Sequence, residues 1–552
     1  TGSSTNEGGF NSAINGWLNV PVSDKAAFRL VGYKIDNDGF LDDDYAGAGS
    51  SAGKDINDED TYGGRLSFRV QPTEALEILL TGIYQKGEFG AFEQVTDEFE
   101  NLIIHQSADQ PFEDEYKVGN LKVTYDFDFA SLTSSTSYFE RSRYLENDID
   151  YFLEALAGIP RGYSPLLYEA NTFSQEVRLA STGEGAFKWI VGAFYLDRND
   201  DFNQTINVSG VPVPQDSASN LFYLDRFSDV KQLAGFAEAS LDLTDELTAT
   251  VGIRVTDVER ENQAVQDGLI FGVRTDLSGD FDEQSTTPKF NLSYQPNDAM
   301  LFYAQAAQGF RIGGVNPGLP PCDPAAGCAV DVGGTYDSDS LWSYEVGAKL
   351  QLLDNAWTVS AAAFYIDWTD IQLSVSRGDG FDGFLNSGDA TSQGFEVEST
   401  AQLSEFVRVG GQVTYTDAQL ENISPGLVGV ATEGQQLPDV PEWSSALNAE
   451  VGGMVMSNTY GFVRGDLQFV GERQSALGPG STELSSYTLL NLKAGLETGP
   501  YRVSLFANNL TDERAELSRY SLAGVRQGEL LTLDRVTVNR PRTIGVSISR
   551  EF

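Results

Sequence analysis

Alternation of apolar and polar residues constrains this chain more than any other feature. From Leu247 to Val255 the apolar residues occupy every second position, and the same pattern occurs over residues 121–127 and again from Ile544 towards the C-terminus. A period of two places one set of side chains on each face of a β-strand. No apolar run is long enough for a membrane-spanning helix. The chain is therefore predicted to be all-β.

The spacing of the turns indicates which all-β architecture the chain adopts. Between successive short turns lie two alternating segments and one long polar stretch. Short turns at one end and long loops at the other are typical of bacterial outer-membrane β-barrels, with the turns periplasmic and the loops extracellular. The sequence contains ten short turn signals, at residues 21–25, 71–75, 126–130, 181–186, 242–246, 295–299, 352–356, 402–406, 456–460 and 498–500.

A count of strands follows from these turns. Ten turns with long loops between them predict about twenty-one transmembrane antiparallel strands, and single-chain bacterial barrels have even numbers. We therefore expect one further strand before Thr1 and an intact barrel of 22 strands, a size found in plugged outer-membrane transporters. Residues 1–552 are predicted to form a single barrel domain.

Charge and histidine content exclude several functions. The formal net charge is −45, which disfavours nucleic acid as a partner because phosphates require clustered Lys and Arg. A single histidine, His105 in a predicted extracellular loop, leaves no zincin motif and no paired-histidine metal site. GxSxG and Walker A patterns are also absent. The chain is predicted not to be an enzyme.

Two loop segments could bind or cross-link. Cys322 and Cys328, in PCDPAAGC, are predicted to form a disulfide in an oxidising compartment; a metal site is disfavoured because no histidine lies nearby. Asp36, Asp38 and Asp42, in DNDGFLDDD, have the oxygen density of a calcium loop but lack the EF-hand spacing, so a solvated acidic loop is favoured. No other cofactor is expected.

Several segments together resemble the TonB-dependent outer-membrane receptors, and the resemblance covers essentially the whole chain. It implies energised uptake of a scarce nutrient through a TonB box and a plug domain, which we expect to precede Thr1. The implied partners are TonB with ExbB and ExbD, the barrel-assembly machinery, lipopolysaccharide and outer-membrane lipid, and a small-molecule ligand. The segments are AAFRLVGYKIDNDGFLDD, LSYQPNDAMLFYAQAAQGFRIGGVNPG, LWSYEVGAKLQLLDNAWTVSAAAFYIDWTDIQ, TSQGFEVE, LPDVPEW, FANNLTDE and RPRTIGVSISREF.

Two of these segments have a physical interpretation. The terminal Phe552 resembles the signal that the barrel-assembly machinery recognises in this family, and it is also suited to anchoring at the membrane interface. In FANNLTDE, Asn508, Asn509 and Asp512 follow a strand and are predicted to stabilise a turn, since Asx side chains bond to nearby backbone.

The resemblance makes a ferric siderophore the first choice of ligand, with a carbohydrate or other small organic nutrient second. Haem is disfavoured by the single histidine and by GFRIGGVNPG, which departs from the loop of haem receptors. A passive porin and a surface adhesin or phage-receptor barrel remain as further alternatives. Arginine attracts anionic siderophores and aromatics stack on catechols or sugars, although Trp and Tyr near strand ends also form membrane-interface girdles. The candidate ligand-binding residues are Arg311, Asn316, Tyr336, Trp342 and Trp368.

Overall fold

A closed antiparallel β-barrel accounts for most of the chain in the computed structural model. No helix among the described residues is long and apolar enough to cross a membrane. Helical structure in the described residues is confined to short 3₁₀ turns such as Phe99–Asn101 and Pro425–Leu427. The structure describes residues 1–44, 53–96, 99–106, 108–149, 162–208, 221–268, 271–316, 318–324, 328–378, 381–477, 481–526 and 529–552.

The barrel has 22 strands, each hydrogen-bonded to its neighbours along the chain. We number them β1 to β22 in chain order. The strands are Gly2–Thr5, Phe10–Ser23, Ala26–Asn37, Glu59–Thr73, Leu76–Phe89, Phe112–Asp126, Ala130–Asp148, Gly162–Ser181, Phe187–Val208, Phe222–Asp242, Leu247–Asp267, Thr275–Asn297, Met300–Arg311, Asp339–Leu352, Trp357–Thr369, Gly388–Gln402, Val407–Ile423, Trp443–Met456, Thr459–Val470, Tyr487–Thr498, Tyr501–Asn508 and Thr543–Arg550.

Barrel closure corrects the predicted count for this chain. Strand β1, only four residues long, pairs on one side with β2 and on the other with β22, with Ser3 opposite both Asn11 and Gly545. The prediction of twenty-one strands was therefore wrong by one. Strand β1, Gly2–Thr5, is short and polar, so it carries none of the apolar alternation on which the predicted strand count depended.

All ten predicted turns join consecutive strands in the structure. One of them, between β14 and β15, holds Leu353, Asp354 and Asn355 in the left-handed region, with φ of 52°, 55° and 67°. Such a turn reverses the chain within a few residues, as a hairpin requires. The opposite ends of the strands carry the long loops, so the predicted asymmetry between the two ends is confirmed.

The two faces of the wall differ as the alternation predicts. Val251 is 52% exposed and Ile253 49%, and both face outward, where the apolar belt meets lipid. The neighbouring residue Thr250 points into the lumen, where its hydroxyl lies 2.8 Å from that of Ser240 on the adjacent strand. The barrel thus presents apolar side chains to the bilayer and polar ones to its interior, as a wall that crosses a membrane does.

At the end of the barrel that carries the long loops, additional short strands form; we call this end the mouth. Among the described residues, three clusters of buried apolar side chains hold the loops together there, and examples are Phe40, Leu224 and Leu420. The short strands are Asp42–Asp43, Gln94–Val95, Ile103–Ile104, Gly314–Val315, Thr335–Tyr336, Gln372–Ser376, Asp382–Asn386, Arg473–Gln474, Glu483–Leu484, Glu516–Arg526 and Glu529–Val538.

The Asx-rich turn after β21 has the predicted structural role. The amide of the buried Asn509 donates to the carbonyl oxygens of Glu513 and Arg540, at 2.9 and 3.2 Å, and its oxygen accepts from the Glu513 N–H at 2.8 Å. Asp512 accepts a hydrogen bond from the backbone N–H of Arg542 at 2.8 Å. These bonds fix the chain where the strand ends and the loop begins.

Candidate ligand-binding site

Two loops of the mouth are joined by the buried side chain of Asn316. Its amide nitrogen donates to the Phe384 carbonyl at 2.7 Å, and its oxygen accepts from the Phe384 N–H at 2.9 Å. It also donates to the carbonyl oxygens of Val332 and Gly333, at 3.4 and 3.3 Å. These contacts occupy the side chain, which is 8% exposed. Asn316 therefore holds the loops together instead of offering its amide to a ligand.

The structure brings together two of the predicted ligand residues, Arg311 and Trp368. The Arg311 guanidinium lies 4.8 Å from the centre of the Trp368 ring and forms a forked ion pair with Asp339. Asp339 is 3% exposed, and it also accepts from the Gln372 N–H at 2.9 Å. The positive charge of Arg311 is therefore compensated within the protein, while the tryptophan face lines the lumen.

A cavity of about 370 Å³ opens beside this pair. A second cavity, of about 560 Å³, adjoins the first, and the two share Asp382 and Tyr520 in their walls. Both volumes fall within the range of small-molecule sites. The shared residues make the two cavities neighbours inside the mouth, and we call them together the recess.

The second cavity is lined by strand ends and by the long hairpin of residues 516–538. One wall is apolar and aromatic, contributed by Phe202, Phe222 and Leu224 among others. Uncharged polar side chains such as Gln204 lie beside two arginines, Arg226 and Arg535. The mixture of apolar area with few polar groups is typical of sites that bind small organic molecules.

The wall shared by the two cavities carries a hydrogen-bonded pair. The Tyr520 hydroxyl is hydrogen-bonded to the Asp382 carboxylate, and partial burial of Tyr520 together with this carboxylate raises the pKa of the phenol well above its usual range. Tyr520 is therefore a neutral hydrogen-bond donor at neutral pH. The pair joins the hairpin of residues 516–538 to the strand Asp382–Asn386.

The remaining aromatic candidates are placed differently. Trp342 lies on the outward face of β14, in the same alternating set as Tyr344 and Val346, which are 45% and 57% exposed, and its ring lies parallel to that of Tyr344 at 6.0 Å. The structure therefore contradicts its assignment to the ligand site, because odd and even positions of a strand face opposite sides. Tyr336 packs at 5.4 Å against the Phe384 ring, inside the mouth.

The two cysteines form a disulfide with their Cα atoms 5.4 Å apart. The Cys328 sulfur accepts a hydrogen bond from the buried Arg377 guanidinium at 3.4 Å, and another nitrogen of Arg377 donates to the Pro320 carbonyl at 2.9 Å. Arg377 is 2% exposed. The disulfide and this arginine together fix the loop of residues 312–338 against the neighbouring hairpin.

The three aspartates of the weak calcium candidate take part in separate contacts. Asp38 accepts a hydrogen bond from the Phe10 N–H at 2.7 Å, and Asp42 accepts one from the Asp55 N–H at 3.2 Å. In the part of the chain that the structure describes, no group of three or more His, Cys, Asp or Glu side chains is arranged to hold a metal ion. Asp36, by contrast, lies in β3, paired with Asp60.

At the other end of the barrel, Phe552 lies beyond β22 and is fully exposed, with the Arg550 guanidinium 4.3 Å from its ring centre. A role of Phe552 in barrel assembly stays a prediction. Its position at the turn end of the barrel separates it from the recess inside the mouth.

Three residues of the recess carried no signal that sequence reasoning used. Arg226 and Arg535 lie in strands of mixed polarity, and Tyr520 lies in a hairpin that is distant in sequence from the other lining residues. One signal could have identified Arg226 as lumen-facing. The lipid-facing Leu233 occupies an odd-numbered position of β10, and alternation therefore places the even-numbered Arg226 on the opposite, lumen side.

Comparisons with known proteins agree with this architecture. The family model described as "TonB dependent receptor-like, beta-barrel" matches residues 3–510. The metal-pseudopaline receptor CntO of Pseudomonas aeruginosa is 25% identical over 311 residues, which cover 54% of this chain and 40% of that protein. The match thus spans about two fifths of the length of this curated relative.

Solved structures match more completely in fold. The ferric yersiniabactin uptake receptor FyuA from Yersinia pestis superposes with a TM-score of 0.81 at 16% identity, over 100% of this chain and 79% of that one. The ferric citrate transporter FecA gives a TM-score of 0.72 at 14% identity, over 100% of this chain and 77% of that one. At these identities the likeness concerns the barrel fold.

Proposed function

The chain belongs to the TonB-dependent receptor β-barrel family, and on this premise we propose that it forms the wall and extracellular binding surface of a receptor importing a ferric siderophore. The observation that supports this proposal most is the recess of two adjoining cavities inside the mouth. Arginine side chains and aromatic rings line it, and metal chelates offer anionic and flat aromatic or apolar groups to such surfaces.

The charge of the recess differs from that of the chain. The whole sequence has 81 Asp and Glu against 36 Lys and Arg. In the larger cavity, however, two arginines face one carboxylate, Asp382, which is hydrogen-bonded to Tyr520. A strongly acidic surface that leads to a locally basic recess favours an anionic ligand at that place.

In the proposed mechanism, the ligand enters the recess from outside and displaces water from its aromatic and apolar walls. TonB with ExbB and ExbD supplies the energy for release through segments that precede the barrel in proteins of this family. The part played by this chain is to bind and orient the ligand above the lumen, while the barrel-assembly machinery inserts the wall into lipid and lipopolysaccharide.

The test is uptake of radioactive iron by the source organism and by a strain in which the gene is deleted. The organism is first grown without iron, so that the medium contains any siderophore it secretes. Radioactive iron is then added to that medium, and this mixture is the probe. We expect the deletion to reduce energised uptake and the intact gene to restore it. If uptake is unchanged and growth on one carbohydrate is lost instead, the siderophore proposal is wrong. If the deletion strain loses iron uptake, but uptake by the intact strain does not depend on energy, a passive porin is indicated.

A further inference from the structure

We propose that Arg226 forms a carboxylate-binding subsite in the larger cavity of the mouth, so that the ligand is a metal chelate carrying at least one carboxylate. This inference rests on the proposed uptake function and specifies its substrate class. It depends on the position of Arg226 on the wall, on the absence of an ion pair or hydrogen bond between its side chain and the described residues, and on the composition of the surrounding cavity.

Arg226 is fixed in position by the barrel itself. It lies in β10 directly opposite Phe202 of β9, and both side chains line the cavity. The guanidinium lies 4.9 Å from the centre of the Phe202 ring. Stacking on an aromatic ring holds the guanidinium plane while leaving its N–H groups available at the edge. The arginine is therefore preorganised to donate towards the cavity.

Arg226 differs from the other arginines of the mouth in its partners. Arg311 is paired with Asp339, Arg519 with Asp534 at 2.8 Å, and Arg198 with Asp200 at 2.8 Å. For Arg226, by contrast, no ion pair and no hydrogen bond is formed with any residue that the structure describes. A half-buried charge without a partner is costly, so a position like this one favours an anion that arrives with the ligand.

The groups around Arg226 do not supply that anion. Arg260, on the adjacent strand, adds a second positive charge, and its own N–H groups are used by Ser228 and by the Gly313 carbonyl. Asp200 also acts on Arg226 electrostatically, but its carboxylate is bound by Arg198 and by the Tyr168 hydroxyl at 2.6 Å. Tyr168 and Tyr336 are the remaining titratable groups that act on Arg226, and both are phenols.

The shape of the donor group selects the class of anion. A guanidinium edge presents two parallel N–H donors that match the two oxygens of one carboxylate. The two other charged side chains of the cavity are already engaged, because Arg535 donates to Gln110 and to the Asp148 carbonyl, and Asp382 is hydrogen-bonded to Tyr520. The remaining polar side chains that line it are uncharged: Gln94, Asn147, Ser164 and Gln204. One guanidinium fork that is not already engaged suits a singly charged carboxylate better than a phosphate, which needs several positive donors.

Binding of defined chelates to the purified full-length receptor tests the subsite. The probes are gallium citrate, which carries carboxylates, and gallium desferrioxamine B, which carries none. We expect the wild type to bind gallium citrate, and Arg226→Gln to weaken that binding about tenfold to a hundredfold, as loss of a charged hydrogen-bonded pair does. Arg226→Lys, which keeps the charge but loses the fork, should fall between the two.

Arg274→Gln is the matched control, because it removes the same charge at an exposed arginine of the loop end, paired with Asp276 and outside both cavities. Its affinity should equal that of the wild type. Migration of unheated protein in detergent gels shows whether each variant is a folded barrel. Absence of gallium citrate binding to the wild type, or equal binding by Arg226→Gln, overturns the carboxylate subsite.

Uptake from the iron-starved medium separates this outcome from failure of the proposed function. If the deletion strain loses iron uptake and Arg226→Gln restores it as fully as the wild type does, the subsite is wrong and siderophore uptake stands. If the deletion has no effect on iron uptake, the proposed function itself fails. Restoration by Arg274→Gln but not by Arg226→Gln supports both.

Discussion

The wall of the barrel and its mouth are stabilised in different ways. In the wall, β9 and β10 pair without a register shift from Phe187 opposite Leu241 to Ile206 opposite Phe222. In the mouth, strands such as Gly314–Val315 are two residues long, and individual side chains bond to the backbone. The position of a wall residue is thus set by its place in the ladder, and that of a mouth residue by particular contacts.

The two regions also place their apolar residues in opposite surroundings. Outward wall residues such as Leu233, 60% exposed, and Val346, 57% exposed, meet lipid, and backbone hydrogen bonds do the work of holding the strands together. Mouth residues such as Leu420 and Val95 are fully buried in clusters that water surrounds. The mouth therefore relies on the hydrophobic effect as a soluble domain does, whereas the strands of the wall are held to one another by backbone hydrogen bonds.

The largest effect is expected from a charge on the lipid face of the wall. Val251→Arg should lower the free energy of unfolding by roughly 2–4 kcal/mol, because the guanidinium would enter the hydrocarbon layer. The lumen-facing substitution Thr250→Arg, one residue away, should lose no more than the hydrogen bond with Ser240 and so be far better tolerated. Unfolding by denaturant in lipid vesicles measures both. Equal losses would contradict the assigned faces and the separation of the two surroundings.

A smaller and more local effect is expected in the mouth. Asn316→Ala should leave the Phe384 N–H without its acceptor and several carbonyl oxygens without a donor, which costs about 1–3 kcal/mol. Hydrogen exchange should rise in the loops of residues 312–338 and 370–387 but not in the strands. Asn422→Ala, at an exposed amide bonded to Asp389, is the control and should change neither. A loss of protection throughout the wall would show that the regions are not independent.

The smallest effect is expected at a polar contact inside the wall. Thr250→Val removes the hydrogen bond with Ser240 while keeping the backbone ladder intact, so the loss should be about 0.5–1.5 kcal/mol. Thr250→Ser, which keeps the hydroxyl, should be closer to the wild type. Denaturant unfolding under the conditions used for Val251→Arg allows direct comparison. A loss as large as that of Val251→Arg would mean that side-chain contacts, and not the ladder, dominate the wall.

The contrast explains which features could be predicted from the sequence. A period of two and the ten turns determined the faces and the order of the strands, because both are local properties of the chain. Strand β1 was not predicted since its four residues carry no pattern, and its pairing with β22 joins residues more than 500 positions apart. Strand β1 is recognised only from its pairing with β2 and β22.

The candidate site was predictable only in part for the same reason. Arg311 and Trp368 lie together because both stand near the ends of strands that lead into the mouth, and their contact with a ligand stays a prediction. Trp342 was assigned to the site although its alternation with Tyr344 and Val346 already marks the lipid face. The recess around Arg226 depends on Tyr520 and Arg535, whose hairpin folds over from the far end of the sequence. Contacts between segments so far apart in sequence produce no local sequence pattern from which they could be predicted.

That hairpin also bears on how the barrel is completed. Its strand Glu529–Val538 pairs with Gln94–Val95, and nearby Arg514 bonds to Glu7 at 3.0 Å and Asp512 to Asn6 at 2.7 Å. These contacts span the short β1–β22 seam from above. Bringing such distant parts of a chain together costs loop-closure entropy, so these contacts depend on the rest of the barrel to hold them in place. A barrel whose seam has not closed would therefore lack both these contacts and a finished binding recess.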